Sequence, residues 1–145
     1  MAVAMERPLS RSFTVRGKDF LEAGSVSTEI KSLLKELGVD TSIVRRVAIA
    51  AYEAEMNIVM YAVEATVTVE MTPEVITIVA DDRGPGIPDV ELAMQEGYST
   101  ATREMREMGF GAGMGLANIK KNADAFTITS TVGRGTRLEI SVLIN

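Results

Sequence analysis

In "AAYEAEMNIVMYA", Glu53 and Asn57 stand four residues apart. That spacing places two side chains on one helix face, one turn from each other. Arg46 and Ala50 share the same stripe. A carboxylate beside an amide oxygen has a use at a nucleotide. The amide oxygen can ligate Mg2+, a hard ion that takes oxygen donors, and the carboxylate can orient or deprotonate an attacking hydroxyl. A solvated polar face would use the same two residues. A second carboxylate, Asp82, closes the apolar run "VITIVADD", just before "RGPGIP". In a strand, Ile76, Ile78, Ala80 and Asp82 point one way and Val75, Thr77, Val79 and Asp81 the other. Asp82 therefore continues the core-side phase, where it needs hydrogen-bond donors because an unpaired buried charge is very costly. The exocyclic amine of a ligand is one such donor; a simple turn cap, common for Asp before Gly, is the alternative. A third stretch, "GFGAGMG" from Gly109 to Gly115, lets backbone approach a polyphosphate closely. A helix opening there adds free N–H groups and the positive end of its dipole. The glycines would serve a hinge equally well. No G-K-[ST] follows, so this is not the Walker phosphate loop, and the absence of G-x-G-x-x-G after a strand argues against a dinucleotide fold.

The elements that would hold these residues follow from periodicity. "SRSFTVRG" alternates around Phe13 and Val15, a strand. From Asp19 to Leu37 a helical stripe runs through Phe20, Leu21, Val26, Ile30, Leu33, Leu34 and Leu37, ended by Gly38. Asp40 or Thr41 caps a second helix that reaches about Ala62. "ATVTVEM" alternates strictly, "TPE" turns the chain, and "VITIVADD" completes a hairpin. The segment from Asp89 to Met108 carries no clean strand signal. A third helix opens within Gly113–Gly115 and continues to about Asp124. "FTITSTV", the turn "GRG" and "TRLEISVLI" form a closing hairpin. Five strands and three helices in this order predict an α+β two-layer sandwich, with helices on one face of a mixed, mostly antiparallel sheet.

Composition narrows the function. The chain has 145 residues, 46% hydrophobic and 24% charged, the balance of one soluble globular domain. A formal net charge of −5 disfavours nucleic acid as the main partner. With no cysteine and no histidine, disulfides, thiolate or imidazole metal sites, a histidine base and a phosphohistidine are all excluded. The start lacks a secretory apolar region and no apolar run is long enough to span a bilayer. The expected location is the cytoplasm.

Taken together, E-x-x-x-N on a helix, D-x-G-x-G after a strand and G-x-G-x-G opening a helix resemble the Bergerat-type (GHKL) ATP-binding superfamily. Its members include gyrase, a class of heat-shock chaperones, the catalytic domains of histidine kinases and mismatch-repair ATPases. The resemblance runs from Phe13 to the C-terminus. It implies ATP and Mg2+, with Glu53 as general base or water-orienting group and Asn57 as the Mg2+ ligand. It also implies Asp82 on the adenine amino group, Gly84 and Gly86 shaping the adenine pocket, and Thr136 supporting adenine recognition. Gly111, Gly113, Met114 and Gly115 would line the triphosphate. Residues 1–10 are expected as a tail and 11–145 as one domain, with a lid over ATP at about 88–110.

The chain has no room for a transducer, client-binding or dimerisation domain, and without histidine it carries no phosphoacceptor of its own. It looks like the anti-sigma-factor serine kinases of bacterial sporulation and stress response, and "DDRGPGIPDVELAMQEGYSTA" is similar to the branch that includes the switch kinase of the stressosome. That resemblance implies phosphorylation of a Ser or Thr on a STAS-domain partner, either an anti-sigma-factor antagonist or a stressosome scaffold, and in some members binding of a sigma factor. Homodimerisation stays open. "TREMREM" lengthens the lid relative to the switch kinases, as in a true anti-sigma factor, and supplies Arg103 and Arg106, which could neutralise charge on the transferring phosphoryl group or could equally belong to a solvated helical face whose Arg and Glu pair with each other. The competing readings are an ATP-gated binding module without phosphotransfer and an ATPase acting with water.

Overall fold

The computed structural model describes residues 8–95 and 115–144. Five strands form one sheet: β1 (Leu9–Arg16), β2 (Glu64–Met71), β3 (Val75–Arg83), β4 (Ala125–Thr131) and β5 (Gly135–Leu143). Their order is β1-β2-β3-β5-β4, and each pairing is antiparallel. The expected mixed sheet is thus antiparallel throughout its described pairings. β1 begins inside the stretch read as a tail. Val67, Val69, Met71, Ile76, Ile78 and Ile140 are buried on one face, while Ser12, Thr14, Thr66, Glu70 and Glu139 stand exposed on the other. Strict alternation has sorted the two faces.

Helices α1 (Ser25–Glu36) and α2 (Thr41–Tyr61) and a later helix, α4 (Gly115–Asn122), supply the second layer, and α2 packs against both of the others. A one-turn helix, α3 (Val90–Ala93), lies in the segment without a strand signal; Asp89 caps it by accepting from Leu92 N at 3.0 Å. Asp40 caps α2 as expected, accepting from Ser42 N at 2.9 Å.

The first helix is shorter than its apolar stripe suggested. It starts at Ser25, not Asp19, and Leu21 is 97% exposed. Two charges explain the difference. Gly24 precedes the helix with φ of 96° and offers no side chain to cap it. The cap comes instead from Glu55 on α2, 1% exposed, whose carboxylate accepts from Gly24 N (3.0 Å), Val26 N (3.2 Å) and Ser27 N (2.9 Å). At the other end of the loop, Lys18 N donates to Val59 O and its ammonium donates to Met60 O, among the last carbonyls of α2. A cation at a helix C-terminus complements the dipole, and α2 has no basic residue in its own last turn. Residues 19–24 are therefore spent bridging two helix ends.

Arg46 ties the layer together at its far side. Its Nε donates to Asn122 O at 3.0 Å and its guanidinium lies 3.1 Å from Asp124. Asp124 in turn accepts from Leu143 N at 2.7 Å. This backbone bond and then Arg46 hold the Asp124 carboxyl below the ordinary aspartate range.

Two outcomes follow from these contacts. Glu55→Ala leaves three backbone N–H groups without their charged acceptor and should destabilise the fold by about 3 kcal/mol, read as a lower urea midpoint with an unchanged slope. The contribution of Asp124 is complete above the ordinary value of 3.8 and is lost as pH falls through the lowered folded value. Asp124→Asn should therefore flatten the acid limb of a stability–pH curve measured by chemical denaturation.

Candidate functional site

Glu53 and Asn57 are both half-buried on the α2 face that meets α4. The contact is close. A Cβ placed on Gly115 would lie 3.3 Å from Glu53 Oε2, 3.3 Å from Asn57 Oδ1 and 3.6 Å from Asn57 Nδ2. Glycine at the start of α4 thus lets a helix N-terminus come down onto the carboxylate and the amide together. Asn118, one turn along α4, hydrogen-bonds the Glu53 carboxylate. Burial raises the Glu53 carboxyl above the ordinary glutamate value, and the Asn118 bond pulls against that rise.

Asp82 lies at the end of β3, on the core-side phase, half-buried. Its Oδ1 accepts from Thr136 N on β5 at 3.0 Å. Its other oxygen takes no hydrogen bond from the described residues. Burial raises this carboxyl; the Thr136 N–H opposes the rise and the neighbouring Asp81 charge adds to it.

The "RGPGIP" loop runs along the β4–β5 hairpin. Gly84 N donates to Arg134 O (3.0 Å), Gly133 N to Pro85 O (2.9 Å) and Ile87 N to Ser130 Oγ (2.7 Å). The approach leaves no space for side chains. At Gly86, with φ of 78°, a Cβ would meet Thr131 O at 2.5 Å, and at Gly135 it would meet Asp82 O at 2.0 Å. Gly84 faces the end of α2: its Cβ would lie 3.1 Å from Ala62 Cα and 3.3 Å from Asp82 Oδ1. Thr136 is 9% exposed and pairs with Ser130 through their hydroxyls at 2.8 Å.

The predicted residues fall into two groups along one helix. Gly84 sits against the C-terminal end of α2 with Asp82 and Thr136 beside it, and Gly86 packs on Thr131 and Val132 of the hairpin, while Glu53, Asn57 and Gly115 meet at the middle of α2. From Ala62 back to Glu53 the helix advances about 13 Å, so an elongated ligand lying along α2 would touch both groups. Gly111, Gly113, Met114, Arg103 and Arg106, and most of the proposed lid at 88–110, lie outside the described residues. Sequence reasoning missed Asn118, Ser130 and Gly135. Asn118 follows Gly115 by three and so shares its helix face, and Ser130 is a hydroxyl on the inward phase of Phe126 and Ile128; either spacing could have flagged them. A separate open groove of about 420 Å3, lined by Val90, Met94, Lys120, Phe126 and Ile128 among others, contains none of the predicted site residues.

The donor set suits a purine nucleotide with a hard cation. It offers a half-buried carboxylate oxygen awaiting a donor, an amide oxygen and a carboxylate side by side, and a helix N-terminus brought close by a glycine. Among the described residues no cluster of three or more His, Cys, Asp or Glu could hold a metal by itself. A cation here would therefore be shared with the ligand's own oxygens, as Mg2+ commonly is with phosphates.

Residues 22–142 match the family described as histidine kinase-like ATPase domain. The chain is 33% identical over 113 residues to the serine/threonine-protein kinase RsbT of Bacillus subtilis, covering 75% of this chain and 79% of that protein. It is 34% identical over 100 residues to the anti-sigma F factor of Caldanaerobacter subterraneus, covering 66% of each. A 32% match of the same extent is found with the anti-sigma F factor of a Thermoanaerobacter species.

The raised carboxyl of Glu53 has a sign that can be measured. The folded state holds that proton more tightly than the unfolded chain, so the penalty on the fold is complete above the raised value and is relieved as pH falls toward 4.5. Glu53→Gln, which carries no charge to bury, should melt at the same temperature as the unmodified protein or higher at neutral pH. The difference should shrink as pH falls in thermal denaturation followed by circular dichroism.

Proposed function

We propose a serine/threonine-protein kinase function, using Mg-ATP, for this chain, which belongs to the histidine kinase-like ATPase domain family. The observation that carries the reading is the meeting of Glu53, Asn57 and Gly115 on facing helices, at a site that also presents the open oxygen of Asp82. A kinase must bind nucleotide, hold its phosphates and activate a hydroxyl, and each task has a residue here. Asp82 takes the adenine amino group. Gly84, Gly86 and Thr136 shape the pocket around the base. The N-terminus of α4, with Gly111, Gly113, Met114 and Gly115, receives the triphosphate. Asn57 holds Mg2+, which when bound neutralises charge on the phosphate oxygens. Glu53 orients the substrate hydroxyl and accepts its proton; burial, which raises its carboxyl, makes it a better base than an ordinary glutamate. Arg103 or Arg106 supplies positive charge to the γ-phosphoryl group from a lid at about 88–110.

The hydroxyl belongs to a Ser or Thr of a STAS-domain protein, either an anti-sigma-factor antagonist or a stressosome scaffold, and a sigma factor is a second partner. The matches to RsbT and to anti-sigma F factors support this class of partner. The net charge of −5 argues against nucleic acid, and no helix among the described residues is long and apolar enough to cross a membrane. We place the protein in the cytoplasm, with homodimerisation compatible with this role.

The test is incubation with labelled ATP and the STAS proteins of the same genome. Label should appear on a Ser or Thr of one of them. Glu53→Gln should keep nucleotide affinity and lose about 10²–10⁴-fold in transfer rate. Asp82→Asn should weaken Mg-ADP binding by roughly 1.5–3 kcal/mol, the scale of a charge-assisted hydrogen bond. Arg103→Ala and Arg106→Ala should show whether either lowers the transfer rate while leaving ADP affinity unchanged. Tight nucleotide binding with no transfer to any STAS protein, and full regulator binding by Glu53→Gln, would favour an ATP-gated binding module instead.

A further inference from the structure

The two edge strands of the sheet are guarded differently. β1 and β4 end the strand order, so among the described residues each offers a row of backbone N–H and C=O groups with no strand beside it. Such a row is a template for pairing with another chain, and natural edges are commonly blunted by charge, proline or a bulge. β1 carries Arg11 and Arg16. β4, "AFTITST", carries no charge and no proline, and it pairs with β5 residue for residue from Ala125 to Thr131 without a bulge. Thr127, Thr129 and Thr131 are exposed on the outer face, while Phe126 and Ile128 are half-buried on the inner one. On that inner side lies the open groove of about 420 Å3, lined by Phe126 and Ile128 together with Val90 and Met94, and by Ala123 and Asp124 at the start of the strand. Just past the other end of β4, Val132 is 65% exposed, and Arg134 is exposed in the turn.

We propose that β4 is a self-association surface whose occupant is β4 of a second copy of this chain. An antiparallel edge fits its own copy when a two-fold axis passes through its middle residue, because the same surface then serves both sides. The middle of Ala125–Thr131 is Ile128. With the axis there, Thr127 meets Thr129 of the second copy, Phe126 meets Ser130 and Asp124 meets Val132. Three features of the edge suit this arrangement. Its uncharged length sets no charge against charge, although each chain carries −5 overall, whereas β1 would bring two arginines from each copy to the junction. Val132 continues the inward phase of Phe126 and Ile128, so each copy's exposed valine falls at the end of the other's groove, beside Ala123. Arg134, two positions further, comes diagonal to Asp124, whose side chain is still 34% exposed beside Arg46. The two five-stranded sheets then join edge to edge with both helical layers on one side. The inference rests on nothing about nucleotide or phosphotransfer.

Sedimentation velocity on the unmodified protein from about 1 to 100 μM tests it, since a single strand pair makes a small interface and small interfaces associate weakly. A dimer should form within that range. Thr127→Lys/Thr129→Lys sets lysine against lysine of the other copy at both mirrored positions and should weaken dimerisation by about fivefold or more, even though it reduces the negative charge of each chain. Thr127→Lys/Thr129→Glu sets lysine against glutamate at the same positions and should dimerise at least as tightly as the unmodified protein. Within one chain these two substitutions stand opposite Glu139 and Arg137, so their charges match their neighbours and the fold is kept. Val132→Asp should weaken dimerisation to a similar extent, and Val132→Ile should not. Equal dimerisation by the two double variants would put the contact elsewhere or in another register and overturn the inference, as would a Val132→Asp protein that dimerises like the unmodified one. A chain that stays monomeric at about 100 μM leaves the edge to a strand of some different protein, which overturns it too. Should Thr127→Lys/Thr129→Lys fail to fold by circular dichroism, the other variants decide: Thr127→Lys/Thr129→Glu must dimerise and Val132→Asp must lose affinity, and any other result overturns the inference.

Discussion

A buried carboxylate on the central helix sets the geometry of the helical layer. Glu55 is nearly inaccessible, and it survives burial because three backbone N–H groups at the start of α1 converge on it. A charge taken out of water without such donors would cost several kcal/mol. The arrangement is mutual: α1 has no capping side chain of its own, and among the described residues Glu55 takes its hydrogen bonds from the start of α1. Lys18 performs the complementary service at the other end of α2. Because one helix both caps its neighbour and is capped by the loop leading to it, α1, α2 and β1 are held in one relation. Glu53 and Asn57, two residues to either side of Glu55, inherit their direction from that relation.

The site shows where local stability has been given up. Two carboxyls, Glu53 and Asp82, are held above their ordinary values chiefly by burial, so neither has been fully compensated by protein donors. A residue selected for the fold alone would not sit this way, as the fully satisfied Glu55 shows only two positions from Glu53. Carboxyls with part of their hydrogen-bonding capacity left open, in contact with glycines that keep space clear, are what a ligand site requires.

Much of this was legible in the sequence. Strand alternation located β2, β3 and β5 and put Asp82 on the core side, because period 2 leaves no freedom once one face is buried. The i, i+4 spacing of Glu53 and Asn57 survived folding because α2 is continuous. The false extension of α1 to Asp19 arose because Phe20 and Leu21 happened to fit a helical period, while the feature that stops the helix, a carboxylate thirty-one residues away in sequence, leaves no local trace. Asn118 and Ser130 were missed for a related reason. Spacing within one element puts each on the right face, but which carboxylate or hydroxyl it meets across the element boundary, Glu53 for Asn118 and Thr136 for Ser130, is set by packing that local periodicity does not report.

The strand order has a kinetic side. β5 follows all the other described strands in the chain, yet it lies between β3 and β4. Asp82 and Thr136 are fifty-four residues apart and meet only when β5 slides into that gap. Such non-local pairings close late, since the loop entropy must be overcome before they contribute. During synthesis, the earlier strands and both long helices can assemble while the base pocket still lacks one wall. Any ligand that requires that wall binds only chains that have completed the sheet, and by mass action it stabilises them alone. Nucleotide occupancy would then mark a finished molecule, separating competent chains from partly assembled ones before any partner is met.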